Sequence, residues 1–152
     1  MNIQNIISIS IIGLNVIPIV LYMMTKDPTH LMAFAGMLSS IGISEYIKHI
    51  IIKHNSCRPE GAMDCNLYCN DGPSAGKPGM PSSHAAGVTF FIVFYWKYLP
   101  NHYFRMGLIL YYFLIVQSRY YKRCHTILQL LTGTLVGLGM GAGVKMLQVR
   151  YL

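Results

Sequence analysis

The chain has 152 residues, 53% of them hydrophobic and only 11% charged, with a formal net charge of +7. So few charges among so many long apolar runs exclude an ordinary soluble domain, and the length leaves room for a single domain. The twelve Lys and Arg are scattered, with no basic stripe carrying exposed aromatics, which excludes nucleic acid as the expected partner and favours membrane lipids and an anionic substrate.

Spanning the hydrocarbon of a bilayer takes about 17–25 mostly apolar residues. Residues 6–24 satisfy this, and residues 31–52 do so if Glu45 and Lys48 face protein rather than lipid. Residues 84–99 and 103–118 are shorter, and residues 125–147 form a fifth segment. The expected fold is therefore an all-α, integral-membrane helical bundle of about five transmembrane helices, forming one domain over residues 1–152. The first segment is read as a retained helix rather than a secretory leader. Its start, Met1-Asn2-Ile3-Gln4-Asn5, carries no Lys or Arg, and no small-residue cleavage site follows the apolar run.

The polar loop over residues 54–83 is rich in turn-forming Gly, Pro, Asn and Asp. Ser82 stands at a helix N-cap position, so the next helix is expected to open near His84. Following five alternating helices places this loop, the end of the fourth helix and the start of the fifth on one face. Cys57, Cys65, Cys69 and Cys124 lie on that face too, a clustering that suits disulfides in an oxidising compartment, with zinc as the competing explanation. Lys and Arg are shared between both faces, so charge alone does not orient the chain. Gly133, Gly137 and Gly141 recur every four residues in the last segment. That spacing permits close packing inside the bundle, and the same motif serves homodimerisation.

Polar residues beside hydrocarbon are costly and point to function. Here they are Lys48 or Lys53 with Arg58-Pro59, then Pro81-Ser82-Ser83-His84, then Ser118-Arg119 followed by His125. Arginine forks suit phosphate oxygens, so Arg58 and Arg119 are the expected clamps. Ser82 and Ser83 add donors at a helix N-terminus. Two histidines permit a two-step transfer without a metal or other cofactor, one attacking phosphorus and one protonating the leaving oxygen. Gln129, one turn after His125, would orient that ring. His30, His49, His54 and His102 read as interfacial, and Glu45 either as functional or as the partner of Lys48 or another cation.

At these residues the sequence resembles the type 2 phosphatidic acid phosphatase (PAP2) superfamily, whose signatures run Lys-x6-Arg-Pro, Pro-Ser-Gly-His and Ser-Arg-x5-His-x3-Asp. The resemblance spans roughly residues 44–143 and implies a haloperoxidase-like helical core. It also implies His125 as nucleophile, His84 as general acid, and Arg58, Arg119 and Ser82 as phosphate binders. Ser83 in place of glycine and Gln129 in place of aspartate look like the dolichyl-diphosphatase branch. That branch implies a polyprenyl diphosphate substrate and a site on the lumenal face of the endoplasmic reticulum, with Gln129 orienting His125. A broader lipid phosphate phosphatase and a non-catalytic membrane scaffold are the alternatives. The first signature departs from the pattern, because Ile51 occupies the lysine position. On an unbroken helix Lys48 lies about 60° from the expected direction and Lys53 about 160°, whereas a break after Ile52 would let Lys53 swing in.

Overall fold

A computed structural model describes residues 2–151. Met1 and Leu152, the ends of the domain read from the sequence, lie outside the described residues. The described residues form five helical rods. The first comprises α1 (Ile3–Ile9) and α2 (Ile11–Thr25), which break at Ser10. The others are α3 (Pro28–Tyr46), α4 (Ser83–Tyr95), α5 (His102–Tyr121) and α6 (Ile127–Tyr151). Among the described residues there is no β-sheet, only two isolated bridges, Cys57 with Pro78 and Met63 with Pro73.

Local chemistry sets the ends. Asp27 accepts from Thr29 N at 2.9 Å and Pro28 opens α3, where its missing N–H costs nothing. Asn101 caps α5 by accepting from Phe104 N. The far end of α3 widens into a π-helical turn, Ile47–Ile52, and then tightens into a 3-10 turn, Lys53–Ser56. These two turns take up the extra residues between Lys48 and Arg58.

The expectation of about five transmembrane helices is corrected. Among the described residues only two rods, Ile3–Thr25 and Ile127–Arg150, are both long and apolar enough to cross a membrane. Helix α4 has 13 residues, about 20 Å at 1.5 Å per residue, short of a hydrocarbon core of about 30 Å. Helix α3 has the length, but it carries His30, Ser39, Ser40, Ser44 and Glu45. Helix α5 spreads Arg105, Gln117, Arg119 and five tyrosines over its 20 residues. Helix count was readable from the apolar runs, but spanning capacity was not, because several runs end in groups that serve a site.

Helix α4 is the core. Ala85, Ala86, Val88, Phe90 and Phe94 are almost fully buried, on all sides of the helix. The glycines of α6 lie against it. A Cβ at Gly137 would run into Ala86 O, and one at Gly141 would sit 2.9 Å from Val93 Cβ. The spacing noted in the sequence thus serves packing within the bundle, whereas Gly139 and Gly143 have nothing within 4 Å.

The long loop is tied down by the Cys65–Cys124 disulfide. Lys122 Nζ donates to Asp64 O at 2.6 Å, and Asp71 accepts from Asn66 N at 3.1 Å and Ser74 Oγ at 2.8 Å. Cys57 and Cys69 are free thiols. The zinc alternative loses two of its four thiols to the bond between Cys65 and Cys124.

Candidate active site

Helices α2 and α3, the turn after α3, the start of α4, the long loop and His125 just before α6 meet around a cavity of about 500 Å³. Its polar wall carries Lys48, Arg58, Ser83, His84 and His125, while α2 and α3 supply apolar side chains such as Ile11 and Ile41. A larger cleft of about 850 Å³ touches His125 from another side but includes none of those other four residues. The smaller cavity is therefore where the predicted groups converge.

Lysine is almost never buried without a partner. Lys48 is buried, and its Nζ donates to Glu45 Oε1 at 2.5 Å and to Ser83 Oγ at 3.0 Å. The π-helical turn places it there. Lys53, the other candidate, has a positive φ of 52° at the junction of the two turns, and it is exposed and off the cavity wall. Of the two candidate lysines, Lys48 is the one that lines the cavity.

Arg58 is fixed from both sides of its peptide, donating N–H to Lys77 O and accepting from Gly76 N. Its Nε donates to Pro78 O at 3.3 Å, and its buried Nη1 has no partner among the described residues. Burial pulls its guanidinium below the usual arginine range, opposed by Asp71 and Glu45, yet an arginine stays charged.

Arg119 is fully buried and stands behind the wall. Its Nη1 donates to Ser8 Oγ at 2.6 Å and its Nη2 to Cys65 O, while Nε has no partner among the described residues. Two of its three nitrogens are thus spent on the first rod and the loop. Ser82 is also off the wall. Its hydroxyl caps α4 by accepting from Ala85 N, and its N–H donates to Gln129 O at 3.0 Å. Ser83 is the serine that faces the cavity.

His125 precedes α6, and its Nδ1 lies 2.8 Å from Gly79 O. A carbonyl only accepts, so Nδ1 carries the proton and Nε2 keeps its lone pair. Burial holds its pKa well below 6.5, and the positive charges of Arg119, Lys48 and Arg58 push the same way. The ring is neutral at neutral pH. His84 Nε2 is buried and, like Arg58 Nη1 and Arg119 Nε, has no partner among the described residues. Unpaired buried polar atoms are costly, and two nitrogens of this kind on residues of the cavity wall, with that of Arg119 behind it, suit an anion with several oxygens.

The expected bond from Gln129 to His125 is not made, and Gly79 O takes that place. Gln129 is buried and works through the loop. Its Nε2 donates to Ser56 Oγ at 3.0 Å and Cys57 O at 3.0 Å, and its Oε1 accepts from Thr126 N at 3.0 Å. Gly79 N in turn donates to Ser56 O at 2.9 Å. A Cβ on Gly79 would lie 2.7 Å from Gln129 Oε1, so only glycine brings this carbonyl to the histidine without a shift.

Ser8 behind Arg119 was missed in the sequence, where the available signal was a hydroxyl inside an apolar run. Glu45, expected as functional or as the partner of a cation such as Lys48, does pair with Lys48, and its Oε1 also accepts from Ser83.

A family model of the PAP2 superfamily matches residues 30–151. The chain belongs to the PAP2 superfamily. Membership supports a PAP2-type hydrolase acting on a lipid phosphate. Of the residues that resemble its signatures, Lys48, Arg58, Ser83, His84 and His125 line the cavity, whereas Ser82 and Arg119 do not. No curated protein or solved structure shows significant similarity to the chain. The PAP2 match leaves out the first rod, although Ser8 and Ile11 on that rod touch the site.

Proposed function

We propose that this PAP2 protein hydrolyses a polyprenyl or dolichyl diphosphate through a phospho-histidine intermediate. The observation that carries the reading is the Nδ1–H of His125 held by Gly79 O, which leaves a neutral Nε2 in a cavity that also holds His84 and Arg58. In the first step Nε2 attacks phosphorus, the bond from phosphorus to the leaving oxygen breaks, and His84 gives that oxygen its proton. In the second step His84 takes a proton from water, the water oxygen attacks phosphorus, and the P–N bond breaks to restore His125. Lys48, Arg58 and Ser83 hold the phosphoryl oxygens, and Arg119 adds positive charge from behind.

The polyprenyl assignment rests on Ser83 and Gln129, which stand where the broader superfamily has glycine and aspartate. The apolar side chains of α2 and α3 give the hydrocarbon chain a path away from the polar wall. The Cys65–Cys124 disulfide beside the site supports the lumenal face of an endoplasmic-reticulum-like membrane.

The test is phosphate release by detergent-purified protein in EDTA from a polyprenyl diphosphate, beside phosphatidic acid and a His125→Ala control. Release from the diphosphate, lost in the control, is expected. Preference for phosphatidic acid would discard the polyprenyl substrate and keep the nucleophile. No release from either by folded protein would leave a non-catalytic scaffold.

A further inference from the structure

Glu45 is the one carboxylate on the wall of the cavity among the described residues. Its Oε1 accepts from Lys48 Nζ at 2.5 Å and from Ser83 Oγ. Those are the two donors on this wall, besides Arg58, that a phosphate oxygen beside His84 and His125 would require. A carboxylate and a phosphate carry the same kind of acceptor, so the two compete for one lysine and one hydroxyl. The side chains of this pair differ in freedom. Lys48 is 4% exposed and cannot leave, whereas Glu45 is 44% exposed and its Oε2 already reaches His49 Nε2 at 3.3 Å, outside the cavity.

We infer that Glu45 is a displaceable stand-in for phosphate. Its carboxylate neutralises buried Lys48 between turnovers, swings toward His49 as the substrate phosphate docks, and returns as inorganic phosphate leaves. A buried lysine without a counter-charge is strongly disfavoured, so the returning carboxylate compensates Lys48 at the moment the product departs. The consequence is a site that binds its phosphate product less tightly than its cationic groups alone would. The inference rests on the proposed phosphatase reading, since it needs phosphate to occupy this cavity.

The experiment is calorimetric titration of inorganic phosphate, and separately of orthovanadate, into the detergent-purified full chain. It compares wild type with Glu45→Gln and Glu45→Asp. Glutamine keeps the shape and removes the charge, while aspartate keeps the charge but is one methylene too short to bridge Lys48 and Ser83. Both variants are expected to bind phosphate about tenfold more tightly, the scale of one charge-assisted hydrogen bond released from competition. Glu45→Asp retains a counter-charge near Lys48 and keeps the test open if Glu45→Gln does not fold. Unchanged or weaker binding in a folded variant overturns the inference and leaves the phosphatase reading standing, because it would show that Glu45 only orients Lys48. Absence of phosphate and vanadate binding in all three proteins overturns the phosphatase reading and the inference with it.

Discussion

Replacing Gln129 by leucine separates an indirect role from a direct one. The side chain is 1% exposed, and leucine nearly fills its volume, so the loss is confined to hydrogen bonds. Thr126 N–H loses its acceptor and Cys57 O loses a donor, whereas Ser56 O keeps the N–H of Gly79. A buried polar group left unpaired costs about 1–3 kcal/mol. Because Thr126 is itself exposed, water replaces part of its bond, and the expected destabilisation is about 2 kcal/mol in total. Catalysis should also suffer. Ser56 and Cys57 would no longer be pinned, and Gly79, bonded to Ser56, would drift with them. A displacement near 1 Å at a catalytic group costs about a hundredfold in rate, so kcat should fall about 10- to 100-fold while some turnover survives. Denaturant unfolding reads the first effect and steady-state phosphate release the second. The acid limb of the kcat profile should not move, since the bond from His125 Nδ1 to Gly79 O remains. A loss as complete as that of His125→Ala, or a displaced acid limb, would refute the indirect role.

Lys48→Met should reduce kcat/KM by at least tenfold, the scale of one charged hydrogen bond to substrate, while Lys53→Ala stays within about twofold because exposed charges contribute little. Equal losses in phosphate-release assays would show that the turn between them rearranges on binding. Stability should fall as pH drops below 6.5 through the neutral, buried His125. The unfolded chain binds a proton near that value and the folded one only well below it, so this contribution is full above 6.5 and lost as pH falls toward the folded value. The stability of His125→Asn should therefore decline less than that of wild type between neutral and acid pH, and parallel unfolding curves would contradict the assignment. Replacing Cys65 and Cys124 together by serine should lower stability by up to about 4 kcal/mol on the loop-entropy account for a closed loop of this size, read as a lower melting temperature. No shift would mean that the loop is held by Asp64, Asp71 and Lys122 alone.

Much of the site could be read from the sequence because its chemistry comes in short, ordered pieces. Pro81 to His84 opens a helix, and Arg119 and His125 bracket a turn, so helix ends alone bring them to one face. What could not be read depended on backbone details. The choice of Lys48 over Lys53 turns on a π-helical turn whose residues, Ile47–Ile52, look like ordinary helix. The acceptor for His125 is a carbonyl, Gly79 O, and a main-chain oxygen carries no residue-type signal. Arg119 looked like a direct clamp because its type is suited to phosphate, but burial against Ser8 and Cys65 commits most of its fork elsewhere. The number of spanning helices was overread for a related reason, since polar residues that build the site sit at the ends of the same apolar runs.

The close seating of α6 on α4 has a mechanical meaning. Gly133, Gly137 and Gly141 let the two backbones touch, and the N–H of Ser82 on one side bonds Gln129 O on the other. His84 and His125 are thereby carried by a single stiff block, like two teeth cut in one jaw. Arg58 belongs to the loop, which is clipped to that block through Gln129 and Gly79 and to the turn between α5 and α6 through Cys65 and Cys124. Exchanging the loop outside these clips should therefore shift Arg58 relative to the cavity, while the spacing between His84 and His125 stays as the two helices set it.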